Sequence, residues 1–531
     1  MSVSKPELSD LEFEVIQGLE PSLQRKLLEA FQQSSSRVTS LEEKLRRAEL
    51  ENRYLRDLLR RERLAKYGPG SEKLSDAQLA LLELEPGVSR AEVEAESLRQ
   101  PLDLTPRQPR KAAAHPGRQA LPAHLPRVER IVACSPEQCR CAQCGRDTDL
   151  IGYEVSEQLD CEPAKPFVLV TKREKRACKA CEEQGVQTAL LPARIIPKGL
   201  VSDRVIIDAV VNKYCNFLPL YRQSVILQRE TGLELSRATL CGWVMTVGEL
   251  LQPICGAMRL ELLRSDYLQA DETPVDVQSE RTRGKNHQGY LWEYGEPGAT
   301  VVFDFRMDRS AAGPEGFLAG FAGLLQSDGY AGYGRVGAPG LVHAGCWAHV
   351  RRYFYEAVQL NGQDVVAIGI VVEINRLFEI EAELKALGLD EPQRLAVRQD
   401  RSAPIVDGLK SRIEAAAQAS LPRSALGKAC KYALGRWTAL SRFLVYGQLE
   451  LSNNLAENSI RPIALGRKNW LHIGSERAGP KVAAILSVVE SCRRLSLPVR
   501  EYLSEILPGL ADYPVQRVSE LTPAAWKARR A

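Results

Sequence analysis

The sequence predicts a multidomain α/β protein, and three observations lead to that fold class. A chain of 531 residues is too long for a single hydrophobic core, so several domains are expected. Short runs rich in β-branched and aromatic residues between positions 268 and 343 alternate with helical patterns, which predicts a mixed sheet flanked by helices. The stretches 203–251 and 364–446, on either side of these runs, show helical periodicity.

Composition places the chain among ordinary globular proteins, with 44% apolar and 26% charged residues. The net charge of +4 permits nucleic-acid binding without requiring it. No apolar run reaches the roughly 18 residues that a membrane span needs, and the first residues do not resemble a secretory signal. We therefore expect a cytoplasmic protein with no membrane partner. In that compartment the 13 cysteines would be metal ligands or buried apolar residues rather than disulfides.

The N-terminal region contains a heptad pattern typical of a coiled coil. Asn52 falls at an a position, where a buried amide favours one register and a two-stranded partner. Because the pattern is short, a helix lying on the protein's own body is the alternative, although the polar a position favours a dimer. The seam consists of Val38, Leu41, Leu45, Ala48, Asn52, Leu55, Leu59 and Glu62.

A basic, proline-rich stretch follows the heptads and reads as an extended linker. Basic residues outnumber Asp103 and Glu129 between positions 98 and 130. Such a segment can lie along a phosphate backbone or tether two domains, and the sequence favours the tether.

Two Cys-x2-Cys pairs, Cys141 with Cys144 and Cys178 with Cys181, predict a structural zinc site. Each tight turn aims two sulfurs at one point, which is what four-thiolate tetrahedral zinc needs. The intervening residues 167–171 resemble a hairpin strand that could bring the pairs together. Scattered reduced thiols are the alternative, and the spare candidates are Cys134, Cys139 and Cys161.

Residues 222–244 have the pattern of a helix-turn-helix. The first helix would end at Thr231-Gly232, and Ser236 could cap a second helix that presents Arg237 and Thr239 outward at its start. A pair of packed helices without a DNA contact is the alternative, and the pattern favours DNA contact.

Two acids are predicted at adjacent strand ends of the mixed sheet. Asp271 ends an apolar run that begins at Leu268, and Asp328 follows the run that begins at Gly323. Like charges at close range need a cation between them, and few hard oxygen ligands suit Mg²⁺. Two such ions stabilise the attacking and leaving oxygens of phosphoryl transfer. A single strand-end aspartate is more often only a turn residue.

A third acid, Glu457, lies in the first turns of a helix that Ser452 or Asn453 could cap. An ordinary surface acid is the alternative. Cations and an aromatic residue for DNA follow it, at Arg461, Arg467, Lys468 and Trp470, and a second group of phosphate-binding candidates consists of His349, Arg351 and Arg352. His349 could equally be a buried, hydrogen-bonded histidine.

Several motifs together resemble the transposases of the insertion sequence 66 family, and they extend through nearly the whole chain. The motifs are Ala270-Asp271-Glu272-Thr273, Ser327-Asp328-Gly329-Tyr330, the run from Cys346 to Phe354, Asn453-Asn454-Leu455-Ala456-Glu457, Arg461-Pro462, and the run from Gly466 to Leu471. The segment after the heptads, the cysteine region, Pro197-Lys198-Gly199, residues 218–222 and residues 500–503 are also similar to the family.

The resemblance implies a DDE transposase with a ribonuclease H-like catalytic core. Its catalytic, magnesium-binding triad would be Asp271, Asp328 and Glu457, with Mg²⁺ or Mn²⁺ as cofactor beside structural Zn²⁺. The implied partners are transposon-end DNA, target DNA, a second copy of the chain and possible accessory proteins of the same element, in the nucleoid. Asn458 and His472 depart from the family's pattern without touching a proposed ligand. The alternatives are an inactive DNA-binding regulator derived from a transposase and a nuclease without strand transfer.

These patterns predict the following division of the chain. Residues 1–75 form the N-terminal helical region, 76–130 the linker, 131–190 the zinc-binding domain, 191–260 the helical DNA-binding region, 261–358 the first part of the core, 359–449 a helical insertion, 450–490 the final core helix with the third acid, and 491–531 a short C-terminal domain.

Overall fold

A computed structural model of the chain describes residues 20–67, 166–177, 186–197, 199–279 and 285–530. The chain divides into two compact units, one made of residues 1–104 and 173–531 and the other of residues 105–172. Most of the predicted linker and zinc-binding domain lies outside the described residues, and so do all the zinc-ligand candidates: Cys134, Cys139, Cys141, Cys144, Cys161, Cys178 and Cys181.

The first described element is one long helix, α1 (Pro21–Tyr67), which contains the whole heptad seam. Its apolar seam residues Val38, Leu41, Leu45 and Leu55 are between 37% and 62% exposed. A helix with an uncovered apolar stripe is what a coiled-coil partner would bury. Dimerisation through α1 remains a prediction.

The strand predicted at residues 167–171 does not form. Phe167 and Val168 are strongly exposed, and strand propensity takes effect only where one face packs against a neighbour. The hairpin lies further on, where β1 (Lys175–Ala177) pairs antiparallel with β2 (Val186–Thr188).

Three helices follow, α2 (Asp203–Tyr214), α3 (Leu220–Thr231) and α4 (Arg237–Leu262). Gly232 ends α3 in the left-handed conformation, and the Ser236 hydroxyl accepts a hydrogen bond from the Thr239 amide at 3.1 Å to cap α4. Helix α4 is long and apolar enough to cross a membrane by composition alone. Its buried face, however, contributes eight residues to the hydrophobic core, so we assign it as a core helix.

A five-stranded mixed sheet forms the centre of the fold, in the order β5-β4-β3-β6-β7. The first three strands are antiparallel, whereas β6 and β7 run parallel to β3. The strands are β3 (Tyr267–Val277), β4 (His287–Gly295), β5 (Val301–Arg306), β6 (Leu324–Gln326) and β7 (Val342–Ala344). The short helix α5 (Ala312–Phe317) and a 3-10 turn (Ala331–Arg335) lie in the connections.

Asp271 lies within a strand and not at its end, so that part of the prediction is wrong. Pairing with β4 continues β3 as far as Val277, because the antiparallel hairpin is longer than the apolar run that precedes Asp271. The parallel pairing with β6 does end at Gln269, two residues earlier. Asp271 therefore lies just past the end of the parallel part of the sheet.

The helices after β7 fall into two groups. The first consists of α6 (Trp347–Leu360), α7 (Val365–Ala386), α8 (Glu391–Val397), a π-helical turn (Arg398–Ser402), α9 (Ala403–Gln418), α10 (Ala425–Leu434), α11 (Trp437–Leu440) and a 3-10 turn (Ser441–Leu444). Most of this group packs around a second hydrophobic core that includes Tyr267, Leu324 and Ala344 of the sheet, whereas α8 has no buried residue. The second consists of α12 (Asn454–Trp470), α13 (Gly479–Arg494), α14 (Val499–Ile506) and α15 (Pro523–Arg530), with 3-10 turns at Glu476–Ala478, Leu510–Asp512 and Val515–Leu521.

Helix α13 covers the edge strand β5 and bonds to its backbone. The Ser487 hydroxyl accepts from the Phe303 amide at 2.8 Å, and the Ser491 hydroxyl exchanges hydrogen bonds with the Val301 backbone. These serines satisfy groups that an open sheet edge would leave unpaired. Helix α13 thereby closes this edge of the sheet.

A fully buried ion pair joins the helical insertion to the segment that returns to the core. Arg398 and Glu381 are at most 1% exposed, and the Arg398 Nε lies 2.7 Å from the Glu381 Oε1. Arg398 also donates to the backbone carbonyls of Phe443, Tyr446, Gly447 and Leu449. One side chain thus fixes the path of the chain just before α12.

We expect Arg398→Ala to lower the free energy of unfolding by about 3–5 kcal/mol, because it leaves the buried Glu381 with only the more distant Arg394, 3.5 Å away, and removes the donor to four backbone carbonyls. Arg401→Ala is the matched control, since Arg401 pairs with Glu383 where both side chains are about half exposed. That surface pair should contribute about 1 kcal/mol or less. Urea unfolding followed by tryptophan fluorescence measures both, and equal losses in the two variants would contradict the assignment.

Candidate active site

Asp328 and Glu457 lie close enough to Asp271 to influence its ionisation. Burial raises the pKa of Asp271 well above its usual range, and the nearby carboxylates of Glu457, Glu272 and Asp328 raise it further, whereas His349 opposes the rise. Asp271 and Glu457 therefore share one electrostatic environment, although they are 186 positions apart in the chain. Such a concentration of negative charge is typical of a cation-binding site.

Two buried glutamines on neighbouring strands position these acids. Gln269 on β3 faces Gln326 on β6 in the parallel register, and its amide nitrogen donates to the Gln326 Oε1 at 3.0 Å. The same nitrogen donates to the Ser452 carbonyl at 3.0 Å, and the Gln269 Oε1 accepts from the Ala456 amide at 3.3 Å. Gln269 therefore joins the sheet directly to the start of α12.

The Gln326 side chain extends this network to β7 and to the chain that precedes α12. Its amide nitrogen donates to the Gly345 carbonyl at 3.0 Å and to the Glu450 carbonyl at 2.8 Å. Its Oε1 accepts from the Tyr267 hydroxyl at 2.5 Å, and that hydroxyl accepts from the Glu450 amide at 3.2 Å. All of these groups are buried or partly buried, so each bond satisfies a polar atom with little access to water.

The short sequence separation between each acid and a residue of this amide network explains how the network positions the acids. Alternate residues of a strand project from the same face, and Asp271 lies two residues after the first glutamine on β3. Asp328 lies two residues after the second glutamine, and Glu457 immediately follows Ala456. All three acids thus lie within two residues of a side chain or backbone group in one hydrogen-bonded network.

The loop that carries Asp328 is held by the helical insertion. The Tyr432 hydroxyl donates to the Asp328 carbonyl, and the Arg436 Nη2 donates to the Gly329 carbonyl at 2.5 Å. Arg436 also stacks over the Tyr432 ring, with its guanidinium carbon 4.2 Å from the ring centre. Gly329 has φ +84°, and a Cβ there would lie 2.0 Å from the Arg436 Nε, so only glycine fits.

A buried arginine fixes the helix that carries Glu457. Arg494 on α13 lies 2.8 Å from Glu293 on β4 and donates to the Leu455 carbonyl at 3.0 Å. Its neighbour Arg493 donates to the Asn458 carbonyl at 3.3 Å. Burial raises the pKa of Glu293 to about 8, although Arg494 opposes the rise. Since Glu293 faces Asp271 in the antiparallel register, this pair links β4 to the first turn of α12.

Glu272 forms a separate network beside the triad. Its carboxylate accepts from Arg309 at 2.8 Å and from the Tyr333 hydroxyl at 3.1 Å, and only 3% of its side chain is exposed. Burial and then Asp328 raise its pKa, while Arg309 and Tyr333 oppose the rise. Glu272 is therefore occupied by structural partners.

Glu457 lies beside two nitrogen groups of helix α6. The His349 Nδ1 is 3.6 Å from its Oε1, and the Arg352 Nη2 is 3.7 Å from its Oε2. Burial lowers the pKa of His349, but Cys346 and Glu457 outweigh that effect and raise it to about 10. Helix α12 begins at Asn454 as predicted, but the Asn453 side chain makes no capping hydrogen bond. Gln269 and Arg494 hold the start of the helix instead, through hydrogen bonds to the backbone of Ala456 and Leu455.

The predicted DNA-contacting residues differ in how far their side chains are exposed to solvent. Arg237 and Lys468 are exposed, and the Arg352 side chain is 46% exposed next to Glu457. Arg461 and His349 are half-buried. Arg467 is half-buried and donates to the Thr273 hydroxyl at 3.1 Å and to the Pro274 carbonyl, which links the end of α12 to β3. Trp470 is half-buried against the core, with the Lys213 ammonium 6.0 Å from its ring.

Arg351 is not available to DNA, and its predicted role is wrong. It is 3% exposed, and its Nε donates to the Asn375 side chain at 2.7 Å. Its guanidinium also lies over the Tyr355 ring at 5.3 Å. Neighbouring residues on a helix point in different directions, so Arg352 faces the site while Arg351 packs against α7.

We expect Gln326→Leu to lower the free energy of unfolding by about 2–4 kcal/mol, because it keeps the side-chain volume but removes the donor to two carbonyls and the acceptor of the Tyr267 hydroxyl proton. Gln288→Leu, at an exposed position on β4, is the control and should change stability by about 0.5 kcal/mol or less. Urea titration distinguishes them. Indistinguishable midpoints would mean that the amide network does not stabilise the fold.

Comparisons with known proteins show the family to which the chain is similar. A model of the family described as "Transposase IS66 family" matches residues 198–481. A model of the zinc-finger binding domain of transposase IS66 matches residues 138–182, and one described as "Transposase C of IS166 homeodomain" matches residues 54–130. Two similar relatives are the uncharacterized proteins y4qI and y4hP of Sinorhizobium fredii. The first is 33% identical over 87% of this chain and 86% of its own length, and the second is 32% identical over 78% and 77%.

Proposed function

This chain belongs to the IS66 family of transposases, and on that basis we propose that it cuts and joins DNA strands at the ends of a bacterial insertion sequence by two-metal-ion phosphoryl transfer. The observation that carries the proposal is the shared electrostatic environment of Asp271, Asp328 and Glu457. In this proposal the three carboxylates are the DDE triad. They lie on a rigid sheet and helix, which suits a site that must hold reacting groups in fixed positions.

We propose that the sheet and the helices around it form a ribonuclease H-like core. Three antiparallel strands followed by two parallel ones support this proposal, as does the position of the acids on β3, directly after β6 and at the start of α12. The helical insertion between the second and third acids would then be an addition to the core that positions the Asp328 loop.

The donor atoms of the triad suit Mg²⁺ or Mn²⁺. All are carboxylate oxygens, which these hard cations prefer. The Glu457 Oε1 is a buried atom with no hydrogen-bond partner among the described residues, so an attractive group is missing there. Bound between the carboxylates, divalent ions would activate the attacking oxygen and stabilise the leaving oxygen of the phosphodiester.

The chain's own residues would bind and orient the DNA around that site. Arg352 beside Glu457 and the exposed Lys468 at the far end of α12 are suited to phosphate contacts. Arg237 at the exposed start of α4 would contact the element's end sequence, because the start of a recognition helix enters the major groove. We further propose that Cys141, Cys144, Cys178 and Cys181 hold a structural Zn²⁺ within the zinc-finger region.

A second copy of the chain is the partner that the exposed stripe of α1 suits. Leu41, Leu45 and Leu55 are each more than half exposed at a and d positions. Pairing of two α1 helices would cover this stripe, and it would bring together two catalytic cores for the two ends of the element.

We expect Asp271→Ala, Asp328→Ala and Glu457→Ala each to reduce Mg²⁺-dependent cleavage of an end-containing DNA by about three orders of magnitude or more, while binding of that DNA changes little. Asp276→Ala is the matched control, since Asp276 is exposed on the same strand as Asp271. Strand nicking in Mg²⁺, with a Ca²⁺ control, and a gel-shift measurement test this. Cleavage that survives all three substitutions would refute the proposed triad, whereas cleavage without joined products would favour a nuclease.

We expect Asp271→Asn to raise the unfolding temperature of the metal-free protein, because it removes one of several mutually repelling carboxylates. Mg²⁺ at ten times its dissociation constant should stabilise the unsubstituted protein by about 1.4 kcal/mol and the variant by less. Thermal unfolding with and without Mg²⁺ measures both effects, with Asp276→Asn as the control. An equal response to Mg²⁺ in all three proteins would argue against a metal at Asp271.

A further inference from the structure

A second group of metal-ligand side chains adjoins the acid triad. One ligand atom each from Cys346, His349 and Glu457 lies within 4.8 Å of the others. Cys346 precedes the first residue of α6 and His349 follows three positions later, so both project from one side of the helix start. A thiol and an imidazole three residues apart are a frequent pair of zinc ligands.

Two atoms of this cluster lack the hydrogen-bond partners that buried polar groups normally have. The His349 Nδ1 and the Glu457 Oε1 are both buried, and neither has a hydrogen-bond partner in the described part of the chain. They lie 3.6 Å apart, too far for a hydrogen bond. Two ligands of one tetrahedral zinc ion are separated by about 3.3–3.8 Å, given metal–ligand distances of about 2.0–2.3 Å. The spacing therefore suits a shared cation better than a direct contact.

We propose that Cys346, His349 and Glu457 form a second metal site, which binds Zn²⁺ and withdraws Glu457 from the acid triad. A thiolate and an imidazole select a soft or borderline ion, whereas the oxygen-only triad selects Mg²⁺ or Mn²⁺. Three protein ligands leave a fourth position for water or a phosphate oxygen. The inhibitory consequence rests on the proposed function, but binding of Zn²⁺ by the cluster does not.

The shared carboxylate makes the two sites compete. Glu457 cannot complete an Mg²⁺ site while it ligates an ion beside Cys346, so Zn²⁺ should inhibit Mg²⁺-dependent cleavage. Cys346 is 2% exposed, so its sulfur is protected from oxidation and thiol exchange. The half-buried Glu457 lies beside it. Free Zn²⁺ would thus control the activity of the enzyme.

The experiment uses the full-length protein, which retains its structural Zn²⁺ but has received no further Zn²⁺. Co²⁺ is the spectroscopic probe. We expect the unsubstituted chain to bind one more equivalent of Co²⁺ than Cys346→Ser, with a thiolate-to-cobalt charge-transfer band that the variant lacks. His349→Gln should weaken binding of that equivalent at least tenfold. Cys241→Ser removes an exposed thiol outside the cluster and should behave like the unsubstituted chain.

The activity measurement compares the Mg²⁺-dependent cleavage rate of each protein with its own rate in the absence of added Zn²⁺. We expect Cys346→Ser to raise the Zn²⁺ concentration that halves Mg²⁺-dependent cleavage at least tenfold, and Cys241→Ser to leave it unchanged. The same Co²⁺ stoichiometry and spectrum in the unsubstituted chain, Cys346→Ser and His349→Gln would overturn the site. If Cys346→Ser does not fold, His349→Gln decides the question alone. If no protein cleaves DNA, the proposed function fails, while the Co²⁺ result still decides the metal site.

Discussion

The hydrogen bonds between Gln269, Gln326 and the chain before α12 are the constraint on which the site depends. Carboxylates that repel one another will separate unless the backbone that carries them is held. The two amides join β3, β6 and the start of α12 through bonds of 2.8–3.3 Å. Side-chain amides suit this role because each one both donates and accepts hydrogen bonds, and it adds no charge to a site that already contains several negative carboxylates.

Charged side chains perform the same task further from the acids, where their charge is neutralised locally. Arg494 pairs with Glu293 and also bonds to the backbone of α12, while Arg398 pairs with Glu381 and bonds to the chain before it. In both cases a buried guanidinium has a carboxylate for its charge and carbonyls for its remaining donors, which is the condition for a tolerable buried ion pair. The insertion is thus part of the support for the site, since Tyr432 and Arg436 also hold the Asp328 loop.

Local patterns in the sequence predict the elements of this fold well, because local physics determines them. Ser236 and Gly232 mark the ends of two helices through capping groups within three residues. The strand around Asp271 was predicted too short, since its length depends on the pairing partner β4. Residues 167–171 have strand composition, but Phe167, Val168, Leu169 and Val170 are exposed and pair with no strand among the described residues. Propensity describes what a segment tolerates, and tertiary contacts decide what it adopts.

Side-chain roles were harder to predict for the same reason. Arg351 and Arg352 have the same chemistry and adjacent positions, yet one packs against Asn375 and the other faces Glu457. The glutamines of the amide network carry no recognisable signal, because a buried glutamine in a strand looks like an exposed one until its partners are known. The available hint was polar residues two positions before Asp271 and Asp328, on the strand face that should be apolar.

The cluster of Cys346, His349 and Glu457 shows how one carboxylate can belong to two chemical environments. On one side Glu457 acts on the carboxyl group of Asp271, and on the other it lies beside the Cys346 sulfur and the His349 nitrogen. The amide network and Arg494 fix the backbone of α12, so the Glu457 carboxylate stays between these two groups of side chains. In our proposal, the metal that binds Glu457 therefore controls the site.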